Sequence, residues 1–237
     1  MKLQYPQLEA IRHGLIVSCQ AGPESPLNAP CFIAALAKSS EMGGAVGFRV
    51  DRPENVSAVR AISSLPILGI YKIVTRCSDV YITPTYASAE AVVKAGANLL
   101  AIDATGRPRS GGETFRDIVE KVHKNLNVPV MADIGTTEQG VKALEDGADI
   151  IGTTLANSEP FGRPEDGPAI GIVKDLVKIT NYPIIVEGQI WTLEEVKACF
   201  DAGAYAIVIG SAITVPQFIT ERFVKAIPAL KTELSNE

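Results

Sequence analysis

The sequence contains few of the residues that bind metals or form disulfide bonds. Among its 237 residues are two histidines, His13 and His123, and four cysteines without any Cys-x-x-Cys spacing. Zinc sites and catalytic triads draw on such residues, so we expect no metal site and no chemistry based on histidine. Scattered cysteines are typical of a reducing compartment, and we expect a cytoplasmic protein.

Long apolar runs and clusters of positive charge are also missing. No apolar stretch approaches the roughly 18 residues that a membrane helix needs. The N-terminal MKLQYPQLEAIRHG lacks the apolar core of a secretory signal. The net charge is −5, and no run of Lys and Arg offers a surface to a phosphate backbone. We therefore expect neither a membrane nor a nucleic-acid partner, although backbone N–H groups can still bind a small anion.

One unit recurs along the chain: a polar start, an amphipathic helix pattern, a Gly-Ala pair and a short apolar strand pattern. It is clearest in residues 86–105, 136–154 and 192–211. The glycine of each pair is predicted to end its helix in a left-handed conformation. These glycines are Gly96, Gly147 and Gly203.

Short apolar stretches predict eight strands. They are LIVSCQ (15–20), AVGFRV (45–50), PILGIYK (66–72), LLAIDA (99–104), PVMADI (129–134), IIGTTL (150–155), PIIVEG (183–188) and AIVIGS (206–211). Helix patterns alternate with them, which favours a closed parallel (β/α)8 barrel, or TIM barrel, over an open doubly wound sheet. No GxGxxG motif follows the first strand, which argues against a Rossmann fold. We expect one domain over residues 1–237.

Polar residues stand at the carboxyl ends of the predicted strands, where such barrels build their active sites. They are Gln20, Arg49, Lys72, Asp103, Asp133, Thr153 with Thr154, Glu187 and Ser211. This pattern predicts a polar pocket above an apolar barrel.

Glycines after the last two strands fit a phosphate site. Gly188 follows the seventh strand, and Gly210 with Ser211 follows the eighth. In barrels this position commonly holds a phosphate on backbone N–H groups. The alternative is that both glycines only form tight turns.

Lys72 and Glu187 end opposite strands of the predicted barrel, so they can face one ligand from two sides. Alternatively, Lys72 extends into solvent and Glu187 forms a salt bridge at the rim. If both are catalytic, two chemistries fit: proton abstraction next to a carbonyl, or Schiff-base formation by the lysine.

A series of motifs resembles a known family over almost the whole chain. The motifs are GLIVSCQA (14–21), GGAVGFR (43–49), LPILGIYK (65–72), YITPT (81–85), AIDAT (101–105), MADIGT (131–136), GTTL (152–155), EG (187–188) and GSAIT (210–214). Together they are similar to the motif series of N-acetylmannosamine-6-phosphate 2-epimerases.

The resemblance implies an isomerase that interconverts N-acetylmannosamine 6-phosphate and N-acetylglucosamine 6-phosphate in sialic acid and amino-sugar catabolism. It implies Lys72 and Glu187 as the catalytic pair. The substrate-binding residues that it implies are Gln20, Arg49 and Asp133 for the sugar and Gly188, Gly210 and Ser211 for the phosphate. No cofactor is implied, and a homodimer is expected. Read without the resemblance, Asp133 can instead cap the helix that follows it.

The chain departs from the family pattern in its substrate loops. Val215 stands where Arg is frequent, Gln189 where Lys, Arg or Asn is usual, and LANSEPFG (155–162) and the loop after Lys72 are atypical. Two alternatives therefore stay open. One is another phosphosugar barrel enzyme, such as a related epimerase or a Schiff-base aldolase or lyase. The other is a catalytically silent phosphosugar-binding protein.

Overall fold

The protein is described by a computed structural model that covers residues 5–156, 160 and 167–228. In these residues eight parallel strands form one closed barrel in chain order, with β8 pairing back to β1. The strands are β1 (Leu15–Cys19), β2 (Gly47–Asp51), β3 (Ile67–Ile70), β4 (Leu99–Asp103), β5 (Val130–Asp133), β6 (Ile150–Gly152), β7 (Ile184–Glu187) and β8 (Ala206–Ile209). The predicted (β/α)8 barrel is confirmed.

The first helix precedes β1, and the others follow the strands and surround the barrel. They are α1 (Pro6–Ala10), α2 (Pro30–Met42), α3 (Pro53–Arg60), α4 (Tyr86–Lys94), α5 (Phe115–Leu126), α6 (Thr137–Glu145), α7 (Ile170–Ile179), α8 (Leu193–Asp201), α9 (Ser211–Thr214) and α10 (Pro216–Ala226). Within the described ranges, none combines the length and the apolar character that crossing a bilayer requires.

Local sequence explains where several helices begin and end. Before α4, α5, α6 and α8 stands a threonine whose hydroxyl accepts a backbone N–H from the first helical turn. Each such cap stabilises a helix by about 1 kcal/mol. After α4, α6 and α8 the predicted glycines adopt left-handed φ angles of 118°, 99° and 101°, so this prediction is confirmed.

The barrel interior is apolar at its N-terminal end and polar at the opposite end. Tyr5, Leu8 and Ile11 pack against interior side chains such as Met131 and Ile185, and so close the N-terminal end. Side chains alternate between the two faces of a strand. Because Met131 and Ile185 point inward, the residues two positions later also point inward, at the end where the strands finish.

Candidate active site

Alternation along the strands brings the predicted polar residues together. Asp133 lies two positions after Met131 on β5, and Glu187 lies two positions after Ile185 on β7. Both carboxylates therefore point into the carboxyl end of the barrel. Arg49 extends from β2 to meet both of them. These residues are 84 and 138 positions apart in the sequence, and the closed barrel is what unites them.

Arg49 lies at the centre of a buried ion cluster. Its guanidinium, only 1% exposed, contacts Asp133 at 2.6 Å and Glu187 at 2.5 Å. A second hydrogen bond to Asp133, at 3.2 Å, makes that pair bidentate. Burial lowers the pKa of Arg49, but the charges of Asp133 and Glu187 outweigh this effect and raise the pKa. The guanidinium is therefore the cation that balances Glu187.

This geometry corrects one alternative for Glu187. Its carboxylate does form a salt bridge, to Arg49, but the contact is buried and does not lie at a solvated rim. Arg49 was expected from the sequence only to contact a ligand, so the ion pair between Arg49 and Glu187 was not predicted. A buried carboxylate requires a nearby cation, but the sequence alone does not say which cation the fold supplies.

Thr153 and Thr154, which end β6 in the sequence, hold Glu187 in place. The Thr153 hydroxyl accepts the Glu187 N–H at 3.1 Å and donates to its carbonyl at 3.2 Å. The Thr154 hydroxyl lies 2.6 Å from Asp133 Oδ1 and 3.2 Å from Glu187 Oε2, so its single proton serves one carboxylate at a time. Both threonines were expected at the pocket, but neither was given a role.

The environment of Glu187 brings its proton affinity close to neutrality. Burial raises the pKa of Glu187 to about 7, with the charge of Asp133 adding to the increase and Arg49 opposing it. A carboxyl group with such a pKa can both accept and donate a proton at neutral pH.

Lys72 stands two residues beyond the end of β3, although the sequence predicted that the strand reaches it. Side-chain acceptors replace the strand ladder here. The Tyr71 N–H donates to Thr83 Oγ1 and the Lys72 N–H donates to Asp51 Oδ1. The Lys72 amine forms no ion pair with the residues that the structure describes. Burial lowers the pKa of Lys72, Arg49 adds to the effect, and Asp51 opposes it.

Lys72 and Glu187 line one cavity of about 570 Å³ at the carboxyl end of the barrel. The other predicted site residues in its lining are Gln20, Gly188, Gly210 and Ser211. Arg49 and Asp133 are not part of the lining and lie behind Glu187. Trp191 and Phe218 also line the cavity. No polar or glycine signal in the sequence marked these two aromatic residues.

Gln20, which lines this cavity, carries a buried acceptor atom. Its side-chain nitrogen donates to the Ser18 hydroxyl at 2.7 Å, whereas its Oε1 is buried and has no hydrogen-bond partner in the described part of the chain. A buried polar atom without a partner is costly, so this oxygen is suited to accept a hydrogen bond from a ligand.

The turns after β7 and β8 favour their glycines for different reasons. Gly188 has φ 103° and is followed by Gln189 at φ 57°, two successive left-handed residues. A Cβ on Gly210 would lie 3.0 Å from the Ser18 Cβ, a tight contact that would require Ser18 to shift. Gln189 and Val215, where the chain departs from the family pattern, line the same cavity. Residues 157–159, 161 and 162 of the atypical 155–162 loop lie outside the described residues.

The alternative role for Asp133, capping the next helix, is wrong. Thr136 caps α6 by accepting the Gln139 N–H, while Asp133 is fully buried against Arg49. Asp103 is similarly held, by an ion pair with Arg107 at 2.8 Å.

Comparison with known proteins shows the family to which the chain is related. The family model "NanE: Putative N-acetylmannosamine-6-phosphate epimerase" matches residues 33–229. A Clostridioides difficile (strain 630) protein named "Putative N-acetylmannosamine-6-phosphate 2-epimerase" is 39% identical over 220 residues, which cover 93% of this chain and 98% of that protein. A Synechococcus elongatus protein with the same name is 41% identical over 225 residues, 94% of this chain and 97% of its own.

A solved structure is similar over the same extent. The N-acetylmannosamine-6-phosphate 2-epimerase from Clostridium perfringens superposes with a TM-score of 0.90 at 35% identity, covering 94% of this chain and 97% of that one. The chain described here therefore belongs to the NanE family of N-acetylmannosamine-6-phosphate epimerases.

Proposed function

We propose that this protein is an isomerase that interconverts N-acetylmannosamine 6-phosphate and N-acetylglucosamine 6-phosphate. One observation carries the proposal. A lysine with a lowered pKa and a glutamate with a raised pKa line the same cavity. Groups that are shifted toward neutrality from opposite directions can exchange protons with one substrate at pH 7. The names of the relatives supply the identity of the sugar.

The reaction follows from the chemistry of the ring-opened sugar. Its C2 proton is acidic because C2 is next to the C1 aldehyde, and loss of that proton gives an enolate. Return of a proton that exchanges with solvent to the opposite face inverts C2, and the proton taken from C2 passes to solvent, so no atom is gained or lost overall. Lys72 takes the C2 proton as a neutral amine. Glu187 assists ring opening and transfers protons at the carbonyl side.

The remaining predicted residues bind the substrate in this proposal. Gln20 accepts a hydrogen bond from the sugar through its unpartnered Oε1. Arg49 and Asp133 lie behind Glu187, so they contact the sugar only where the Glu187 carboxylate shifts when the ligand binds. Gly188, Gly210 and Ser211 bind the phosphate through backbone N–H groups.

We also propose a homodimer in the cytoplasm. None of the side chains of α10 is buried, and Phe223, Val224 and Ile227 at its end are 73%, 58% and 68% exposed. Exposed apolar side chains in such a group are typical of a subunit contact. A cytoplasmic location fits sialic acid and amino-sugar catabolism, in which the sugar is already phosphorylated. Analytical ultracentrifugation of the protein and of Phe223→Glu tests the dimer, and a wild-type monomer would refute it.

The activity is tested with the purified protein and N-acetylmannosamine 6-phosphate. Formation of N-acetylglucosamine 6-phosphate, followed by proton NMR, is the expected result, and unphosphorylated N-acetylmannosamine should react far more slowly. Borohydride added during turnover should leave Lys72 unmodified, because the proposed mechanism forms no imine. A borohydride-dependent adduct on Lys72 would instead identify a Schiff-base enzyme. Binding of the phosphosugar without any turnover would identify a silent binding protein.

A further inference from the structure

A buried carboxylate next to Lys72 has no part in the mechanism described above. Asp51 is the last residue of β2, is 9% exposed, and is followed by Pro53 at the start of α3. Between them, Arg52 adopts φ 74°, and its N–H still donates to the β3 carbonyl of Ile70 at 2.9 Å. The backbone of β2 thus leaves β3 before it can pair with Lys72.

The side chain of Asp51 completes the β2–β3 ladder at this step. Its Oδ1 accepts the Lys72 N–H at 2.8 Å, in the place of a backbone carbonyl. Asp51 is itself held, because the Asn55 side-chain amide, also buried, donates to its carbonyl at 2.8 Å. One carboxylate oxygen therefore holds the Lys72 peptide from the β2 side, while an antiparallel bridge to Ile82 holds it from the other side.

Charges surround Lys72 on three sides of the pocket. Arg49 on β2 disfavours the protonated amine, while Glu187 on β7 and Asp133 on β5 favour it. Both of these carboxylates contact Arg49, which offsets much of their charge. Asp51 instead lies 3.7 Å from the guanidinium of Arg52, a side chain that is 38% exposed.

We propose that Asp51 is a positioning residue for Lys72: its carboxylate fixes the peptide that carries the lysine, and its charge favours the protonated amine. This inference rests on the proposed function, in which Lys72 must alternate between the neutral and the protonated form. Burial and Arg49 alone drive the amine toward the neutral form, and Asp51 limits this effect so that the lysine can also return a proton.

Replacing Asp51 with Asn separates the two roles. Asparagine keeps an acceptor oxygen for the Lys72 N–H but removes the charge. Competitive labelling with acetic anhydride over a pH series, read by peptide mass spectrometry, reports the titration of each lysine in the native protein. We expect the pKa of Lys72 to be lower in Asp51→Asn than in the wild-type protein. Lys94, whose side chain is 68% exposed, should be unchanged and serves as the internal reference.

The same shift should appear in catalysis. The acid limb of the kcat/KM profile is expected to move to lower pH in Asp51→Asn and to stay in place in the control Asp201→Asn, a side chain that is 63% exposed on α8. Asp51→Leu removes the acceptor as well, and should lower kcat by about 10-fold or more with a smaller change in KM. Should this variant not fold, Asp51→Asn still decides the question.

The proposal would be overturned if the pKa of Lys72 were the same in the wild-type protein and in Asp51→Asn. Labelling does not require turnover. An inactive wild-type protein whose Lys72 still responds to Asp51→Asn would therefore refute the proposed epimerase activity while supporting the coupling between the two residues.

Discussion

Replacing Glu187 with Gln should make the protein more stable at alkaline pH and leave its stability at acidic pH nearly unchanged. Burial in the folded state raises the pKa of Glu187 from its usual 4.5 to about 7. Between these two values the folded protein binds more protons than the unfolded chain. Linkage then requires that the stability contributed by the protonated group is fully present below pH 4.5 and is lost as the pH rises through 7. The glutamine side chain of Glu187→Gln does not titrate, so the variant lacks this loss.

The size of the effect follows from the two pKa values. Each pKa unit corresponds to about 1.4 kcal/mol, so the complete titration is worth roughly 3 kcal/mol. Most of this falls between pH 5 and pH 8, with the remainder at lower pH. The carboxylate is 14% exposed, so solvent screens it little, and the figure stands as an order of magnitude.

Urea unfolding of the wild-type protein and of Glu187→Gln at pH 5 and pH 8 measures this difference. We expect the gain in unfolding free energy from the substitution to be about 2–3 kcal/mol larger at pH 8 than at pH 5. Glu221→Gln, which changes an exposed carboxylate paired with Lys225, should show no such difference. Parallel pH dependences for wild-type protein and Glu187→Gln would refute the reasoning, because they would mean that burial does not raise the proton affinity of Glu187.

Three further substitutions test the ion cluster and the phosphate turn. Arg49→Met leaves two buried carboxylates without their cation, and urea unfolding should show a loss of about 3–5 kcal/mol. A loss below about 1 kcal/mol would mean that the cluster is not buried as described. Thr154→Val removes a hydrogen bond that lowers the pKa of Glu187, so any limb of the pH–rate profile set by Glu187 should move to higher pH; an unchanged profile would exclude this contact. Gly188→Ala meets no atom closer than 3.9 Å, so its cost of about 1–3 kcal/mol is backbone strain. KM for the phosphorylated sugar should rise at least about 10-fold, and unaltered KM would argue against phosphate binding at this turn.

The barrel could be predicted because its signals are local. Eight apolar stretches alternate with amphipathic patterns, and the Gly-Ala pairs mark helix ends with glycines that are left-handed in the structure. Placing Glu187 at the mouth of the barrel needed only the known tendency of such folds to carry polar groups at the carboxyl ends of their strands.

The contacts within the site could not be predicted, because they depend on register and on side-chain reach. Nothing near Glu187 in the sequence identifies Arg49 as its partner, since the two residues meet only once β2 and β7 close around one interior. The end of β3 was placed too late for a related reason. The predicted strand ran through Tyr71 to Lys72, but the side chains of Thr83 and Asp51 accept the N–H groups of these two residues.

The proton transfer at C2 is tested most directly by proton NMR of N-acetylmannosamine 6-phosphate with the purified protein in D2O. Removal of the C2 proton by Lys72 predicts N-acetylglucosamine 6-phosphate that carries deuterium at C2, and it predicts neither exchange nor product with a folded Lys72→Ala variant. Product that keeps its original C2 hydrogen throughout, or near-normal turnover by Lys72→Ala, would contradict the account.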